Sequence, residues 1–76
     1  MNDDQDVGQV LAKARKLLHD INQPLTVIMA RSELLLLRLP AEDPHRRAID
    51  QIHEQTEKLS TLIEELRSLI KGFQGE

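Results

Sequence analysis

Apolar residues recur through the first half of the chain at alternating spacings of four and three: Val7, Leu11, Ala14, Leu18, Ile21, Leu25, Ile28, then Leu35 and Leu39, with Ser32 as the one polar interruption. This is the a/d pattern of a heptad repeat, and it predicts a helix over about 7–39. A second run, Ile49, Ile52, Thr56, Leu59, Ile63, Leu66, Ile70 and Phe73, repeats the device and predicts a helix over about 44–72, with Gly72 and Gly75 marking its fraying end. Between them, Pro40-Ala41-Glu42-Asp43-Pro44 is the strong break, giving a loop over 40–43. Asp43 is suited to cap the second helix, because its carboxylate can accept from an orphan backbone N–H, and Pro44 needs no N–H partner at a first helical position. Residues 1–6 read as a polar N-terminal segment in which Asp3, Asp4 and Asp6 suit the positive end of a helix dipole. Residues 7–76 read as one domain.

So short a connection makes the two helices antiparallel neighbours. Each is about 45 Å long at 1.5 Å per residue, and a lone hairpin leaves half of each apolar stripe in water. Val10, Leu17, Met29 and Leu36 on the first helix, and Ala48, Leu62 and Leu69 on the second, widen the stripes beyond a two-stranded seam. The pattern therefore predicts an all-α fold, an antiparallel two-helix hairpin that pairs into a homodimeric four-helix bundle. Composition agrees. The chain has 76 residues, no cysteine and Phe73 as its one aromatic residue, so a disulfide staple is excluded and association is the remaining way to enlarge a small core.

Charge narrows the partners. The net charge is −3 and the basic residues are scattered, which disfavours a nucleic-acid partner. No uninterrupted apolar run exceeds that from Leu34 to Leu37, far short of the roughly 20 residues that span a bilayer. Met1-Asn2-Asp3-Asp4 lacks the basic start of a secretion signal. These features predict a cytoplasmic segment without membrane contact.

The candidate chemistry lies at His19-Asp20-Ile21-Asn22-Gln23-Pro24-Leu25. A proline in mid-helix costs about 3 kcal/mol, because it withholds the N–H that would bond the Asp20 carbonyl and its ring crowds that carbonyl. Such a defect calls for a reason nearby. His19 falls just outside the seam position Leu18, which places its imidazole at the rim of a bundle, where a neutral ring is a competent nucleophile for a phosphoryl group. Arg15 and Lys16, four and three residues earlier, share its face and are placed to compensate a phosphate's charge. Asp20 is about 100° round the helix and needs a rotamer change or an incoming partner to polarise the ring. Gln23, one turn on, shares the face of His19 and can hydrogen-bond a water or a phosphoryl oxygen.

The string from His19 to Thr26 closely resembles the H-box of sensor histidine kinases, and the resemblance extends over roughly residues 9–72. It implies a dimerisation and histidine-phosphotransfer domain in which His19 is the phosphoacceptor and passes the group to an aspartate of a response-regulator receiver domain. It further implies that Asp20 acts as acid/base partner and that Pro24 kinks the helix. Gln23 stands where the family often has a Thr or Asn that positions water for dephosphorylation, and Asp20 stands where Glu is commoner. The family's ATP-binding domain carries Asn-rich and Gly-rich boxes that this stretch, with three glycines and no strand pattern, does not contain. No cofactor is expected in this chain itself; ATP is expected on a separate histidine kinase ATP-binding domain, so no activity from ATP is expected of the chain alone.

Val27, Ala30, Leu34 and Leu37 fall on positions that a bundle leaves in water, beginning two turns after His19. They predict a partner-docking strip for the receiver domain, against the competing account of a skewed bundle that buries them. His45 and His53 are read as solvated, and no paired histidines or clustered carboxylates point to a metal. Arg46-Arg47 and Glu64-Glu65 are read as solvated faces. Ser32 and Thr56 either bond their own helix or leave the bundle loose enough to bend. Two other readings stay open: a stand-alone phosphotransfer or kinase-modulating protein, and a structural coiled-coil dimeriser in which His19 is idle.

Overall fold

The computed structural model describes residues 3–73, and among these there are two helices and no strand, α1 (Asp3–Arg38) and α2 (Arg46–Phe73). Met1, Asn2 and Gly75, on which part of the terminal reading rested, lie outside the described residues. The helices run 36 and 28 residues and pack side by side into a hairpin with extents of 60 × 17 × 15 Å.

α1 starts at Asp3, earlier than the first seam residue, because nothing between Asp3 and Val7 breaks a helix and the early aspartates suit its N-terminus. It runs through Pro24 without interruption. Both Pro24 and Asp20 are exposed, so the missing helical bond lies on the solvent side of α1 and not in the core. One turn further, the Thr26 hydroxyl donates to the Asn22 carbonyl at 2.8 Å.

The turn is closed by several bonds. The Leu39 N–H donates to the Leu35 carbonyl at 2.8 Å and the Asp43 N–H to the Pro40 carbonyl at 3.1 Å. Asp43 Oδ1 accepts from the His45 N–H at 2.8 Å, which is the capping geometry of a short acidic side chain ahead of a helix. The Arg46 N–H donates to the Asp43 carbonyl at 3.1 Å. The entry to α2 is therefore a tight four-residue turn, Asp43 to Arg46, and regular helix begins at Arg46 instead of Pro44.

The seam differs from the single a/d line read from the sequence. Leu18, Leu25, Ile63 and Ile70 form the buried core, with Leu11 and Ala14 packed against it. Ser32 and Thr56 are buried as well, and their hydroxyls donate to the carbonyls of Met29 (3.0 Å) and His53 (2.7 Å). The rest of the inner face comes from Asn22, Met29 and Leu36 on α1 and from Ile49, His53, Ser60 and Arg67 on α2, all half-buried. By contrast Val7, Ile21, Ile28 and Leu35 on α1, and Ile52, Leu59, Leu66 and Phe73 on α2, are exposed. Two helices meet along one line, so a hairpin covers only one edge of a wide stripe. The other edge, with Val10, Leu17, Leu62 and Leu69, forms a second apolar seam that faces outward.

Candidate functional site

His19 follows the buried Leu18 and is exposed, so the core of the hairpin fixes the backbone from which the imidazole projects. Residues three and four apart lie on one helix face, and His19, Asn22, Gln23 and Thr26 accordingly line one open concavity on α1. Gln23 Nε2 lies 3.2 Å from His19 Nε2, so these two side chains are in direct contact. Asn22 and Thr26 went unremarked as site residues in the sequence, although their spacing from His19 and Gln23 places them on the same face.

Asp20 is not part of this concavity. Its Oδ2 lies 3.1 Å from Lys16 Nζ, an i,i+4 pair with both side chains well exposed. Lys16 thus pairs with the carboxylate that was expected to serve His19, because a helix brings residues four apart together and sets neighbours in sequence about 100° apart. Arg15 is exposed on the turn before His19. The site combines an accessible imidazole, an amide in contact with it, a carboxylate one residue on and two cations one turn back. Such a set can present a ring nitrogen to an electrophile approaching from solvent and surround the added group with donors.

Val27, Ala30, Leu34 and Leu37 are all exposed, with Leu37 at 81 %. They stand apart from the outward seam of Ile21, Ile28 and Leu35, one helical step round the axis.

Two readings of single residues change. Arg46, expected to be solvated, is half-buried, and its Nη1 donates to the carbonyls of Leu36 (2.7 Å) and Leu39 (2.9 Å). The last carbonyls of α1 have no helical donor and carry the negative end of its dipole, so a guanidinium satisfies both demands. His53 is also half-buried, its side chain 16 % exposed and its Nδ1 3.9 Å from Glu57 Oε1, because it lies on the inner edge of α2. Arg47 and Glu65 are exposed, and Glu64 pairs with Arg67 at 2.8 Å on the surface.

No helix among the described residues is long and apolar enough to cross a membrane. Residues 13–72 match the family model described as the His Kinase A (phospho-acceptor) domain. Neither a curated protein nor a solved structure matches the chain.

Proposed function

The chain belongs to the His Kinase A phospho-acceptor family, and from that premise we propose that it is the dimerisation and phosphotransfer module of a two-component sensor kinase, with His19 as the residue that carries the phosphoryl group. The observation that carries this assignment is the placement of His19 within the matched residues, exposed and in contact with Gln23 at 3.2 Å, directly beside the best-packed part of the hairpin. His45 is exposed at the turn, with its backbone tied to Asp43, and His53 is half-buried against Glu57. Neither has a comparable setting.

In this reading a ring nitrogen of His19 attacks the terminal phosphorus of ATP held by a separate catalytic domain. The N–P bond forms as the P–O bond to ADP breaks. Asp20, released from Lys16, takes the ring proton, and Arg15 and Lys16 offset the charge of the new phosphoryl group. An aspartate of a receiver domain then attacks the same phosphorus and the N–P bond breaks. Gln23 is placed to orient water when the phosphorylated receiver is hydrolysed. The exposed strip of Val27, Ala30, Leu34 and Leu37, below His19, is the proposed docking surface for the receiver.

We assign the outward seam of Val7, Val10, Leu17, Ile21, Ile28 and Leu35 with Ile52, Leu59, Leu62, Leu66, Leu69 and Phe73 to a second copy of the chain, giving a homodimeric four-helix bundle. Two arguments support this. The seam keeps a heptad spacing on both helices of the same hairpin, which suits a symmetric partner with the same spacing. The single hairpin also buries few large apolar side chains, too few to offset the conformational entropy of ordering it. Labelling of the chain by a matched catalytic domain, with and without His19, tests the functional assignment.

A further inference from the structure

We propose that Arg67 on α2 is a positioning residue for the phosphoryl group on His19, a cation that reaches the group across the hairpin from the side opposite to the helix that carries the ring. This deepens the reading of His19 as the phosphoacceptor and rests on it. The register of the hairpin places Arg67 there. Buried positions recur every seven residues on both helices, at Leu18, Leu25 and Ser32 on α1 and at Thr56, Ile63 and Ile70 on α2. Antiparallel helices joined by a short turn align these positions in reverse order, so Leu18 stands level with Ile70 and Leu25 with Ile63. Arg67, three residues before Ile70, is then level with Ile21, about 3 Å along the axis from His19.

The same geometry fixes the face. A residue three after a core position turns about 60° to one side of it, and a residue four after turns about 40° to the other. Ile21, Ile28, Leu59 and Leu66 take the first edge and are exposed, whereas Asn22, Met29, Ser60 and Arg67 take the second and are half-buried. Two antiparallel helices are related by a near-twofold axis across their plane, which puts like edges on the same side of the pair. Arg67 therefore lies on the face opposite the outward seam. His19, about 100° on from Leu18 in the same sense as Asn22, projects from that face as well.

Arg67 is held there without being committed. Its Nη1 donates to Glu64 Oε2 at 2.8 Å, with the two side chains 38 % and 64 % exposed, and an exposed pair of this kind is weak. A phosphoryl dianion carries more charge than a carboxylate and three acceptor oxygens, and a guanidinium fork matches them. Arg67 does not line the concavity that His19 shares with Asn22, Gln23 and Thr26; it stands beyond Asn22, across the seam. Arg15 and Lys16 belong to the helix of the ring itself, so only the α2 cation makes the setting of the phosphoryl group depend on the packed hairpin. Lys71, one turn on from Arg67 and exposed, adds positive charge along the same edge.

Potassium phosphoramidate transfers its phosphoryl group to exposed histidine rings with loss of ammonia, and phosphorus-31 spectra then follow the second ionisation of each phosphohistidine, assigned with His19→Gln and His45→Gln. A nearby cation favours the dianion and lowers the midpoint. In Arg67→Gln the His19 midpoint should rise by about 0.2–0.7 pH unit, while that of His45, at the turn, stays unchanged. Added salt should shrink the difference, and Arg67→Lys should keep most of the wild-type value because it keeps the charge. Glu64→Gln frees Arg67, so it should lower the His19 midpoint below wild type, and should move it little in the Arg67→Gln background. A His19 midpoint unchanged in Arg67→Gln, with circular dichroism showing the helices intact, overturns the proposal; should Arg67→Gln unfold, a midpoint that Glu64→Gln fails to lower does so. The chemical donor loads His19 without a kinase, so these titrations test Arg67 apart from the role of His19 in signalling, which the residue labelled by the kinase alone decides.

Discussion

Lys16 Nζ and Asp20 Oδ2 meet at 3.1 Å across one turn of α1, so the carboxylate that follows His19 in sequence is held by a cation one turn before it. The helix enforces this, since residues four apart share a face and adjacent residues do not. In the proposed mechanism Asp20 has to leave Lys16 to serve the imidazole. An exposed i,i+4 pair is worth about 0.3–0.5 kcal/mol, so the release is a minor barrier.

Lys16→Ala releases Asp20 but removes one of the two cations proposed to offset the phosphoryl charge, and with Arg15 still present it is expected to change the rate of His19 labelling by no more than about threefold, a difference that should shrink as salt screens these charges. Asp20→Asn is expected to slow labelling by roughly 100-fold or more, because it removes the proposed general base. Rapid-quench labelling of both variants with one catalytic domain compares them.

The outward seam gives a second test. Leu59→Asp or Ile28→Asp puts a charge into the proposed apolar interface and should dissociate the proposed dimer in sedimentation equilibrium. Leu37→Asp, on the exposed strip proposed to dock the receiver, should leave the dimer intact and weaken transfer to the receiver. Loss of dimer in Leu37→Asp, or its persistence in Leu59→Asp, would show that the two apolar surfaces have been assigned the wrong way round.

Arg46 joins the two helices by donating to the carbonyls of Leu36 and Leu39. Removing it leaves two helix-end carbonyls without their charged donor, at about 1–3 kcal/mol. Arg46→Ala should lower the urea midpoint at fixed protein concentration without a change in slope. Arg46→Lys should recover only part of the loss, because an ammonium lacks the planar fork of a guanidinium.

Pro24→Ala restores the N–H to the Asp20 carbonyl and removes the ring clash, so it should raise the thermal midpoint, with an upper bound of about 3 kcal/mol. If the proline also sets the backbone next to His19 for transfer, the more stable variant should be labelled more slowly. Equal labelling would mean that Pro24 is only tolerated there.

The two helices, their turn and the facing of His19 with Gln23 were legible in the sequence because each depends on local spacing alone. Heptad intervals name the helices, Pro40 to Pro44 names the break, and an interval of four puts Gln23 over His19. What was not legible depends on the partner surface. The stripe is wide enough that spacing cannot say which edge the second helix covers; Leu18, Leu25 and Met29 turned inward while Ile21 and Ile28 stayed out. Arg46 looked like a surface charge because the carbonyls it meets belong to the other helix, and no local pattern reports them. Lys16 with Asp20 follows from the same i,i+4 spacing that brings Gln23 to His19, but each of these two residues also lies within one turn of His19, and spacing alone does not rank the competing partners.

The central claim is that His19 is the residue that carries the phosphoryl group, and mass spectrometric mapping after incubation with ATP and a matched catalytic domain tests it most directly. One acid-labile, base-stable phosphoryl group per subunit is expected on His19, none on His45 or His53. His19→Ala should abolish labelling while the circular dichroism and the dimer stay unchanged, since an exposed side chain contributes little to the core. A phosphoryl group on another residue, or labelling of His19→Ala at the wild-type level, would contradict the assignment and leave a structural dimeriser as the better account.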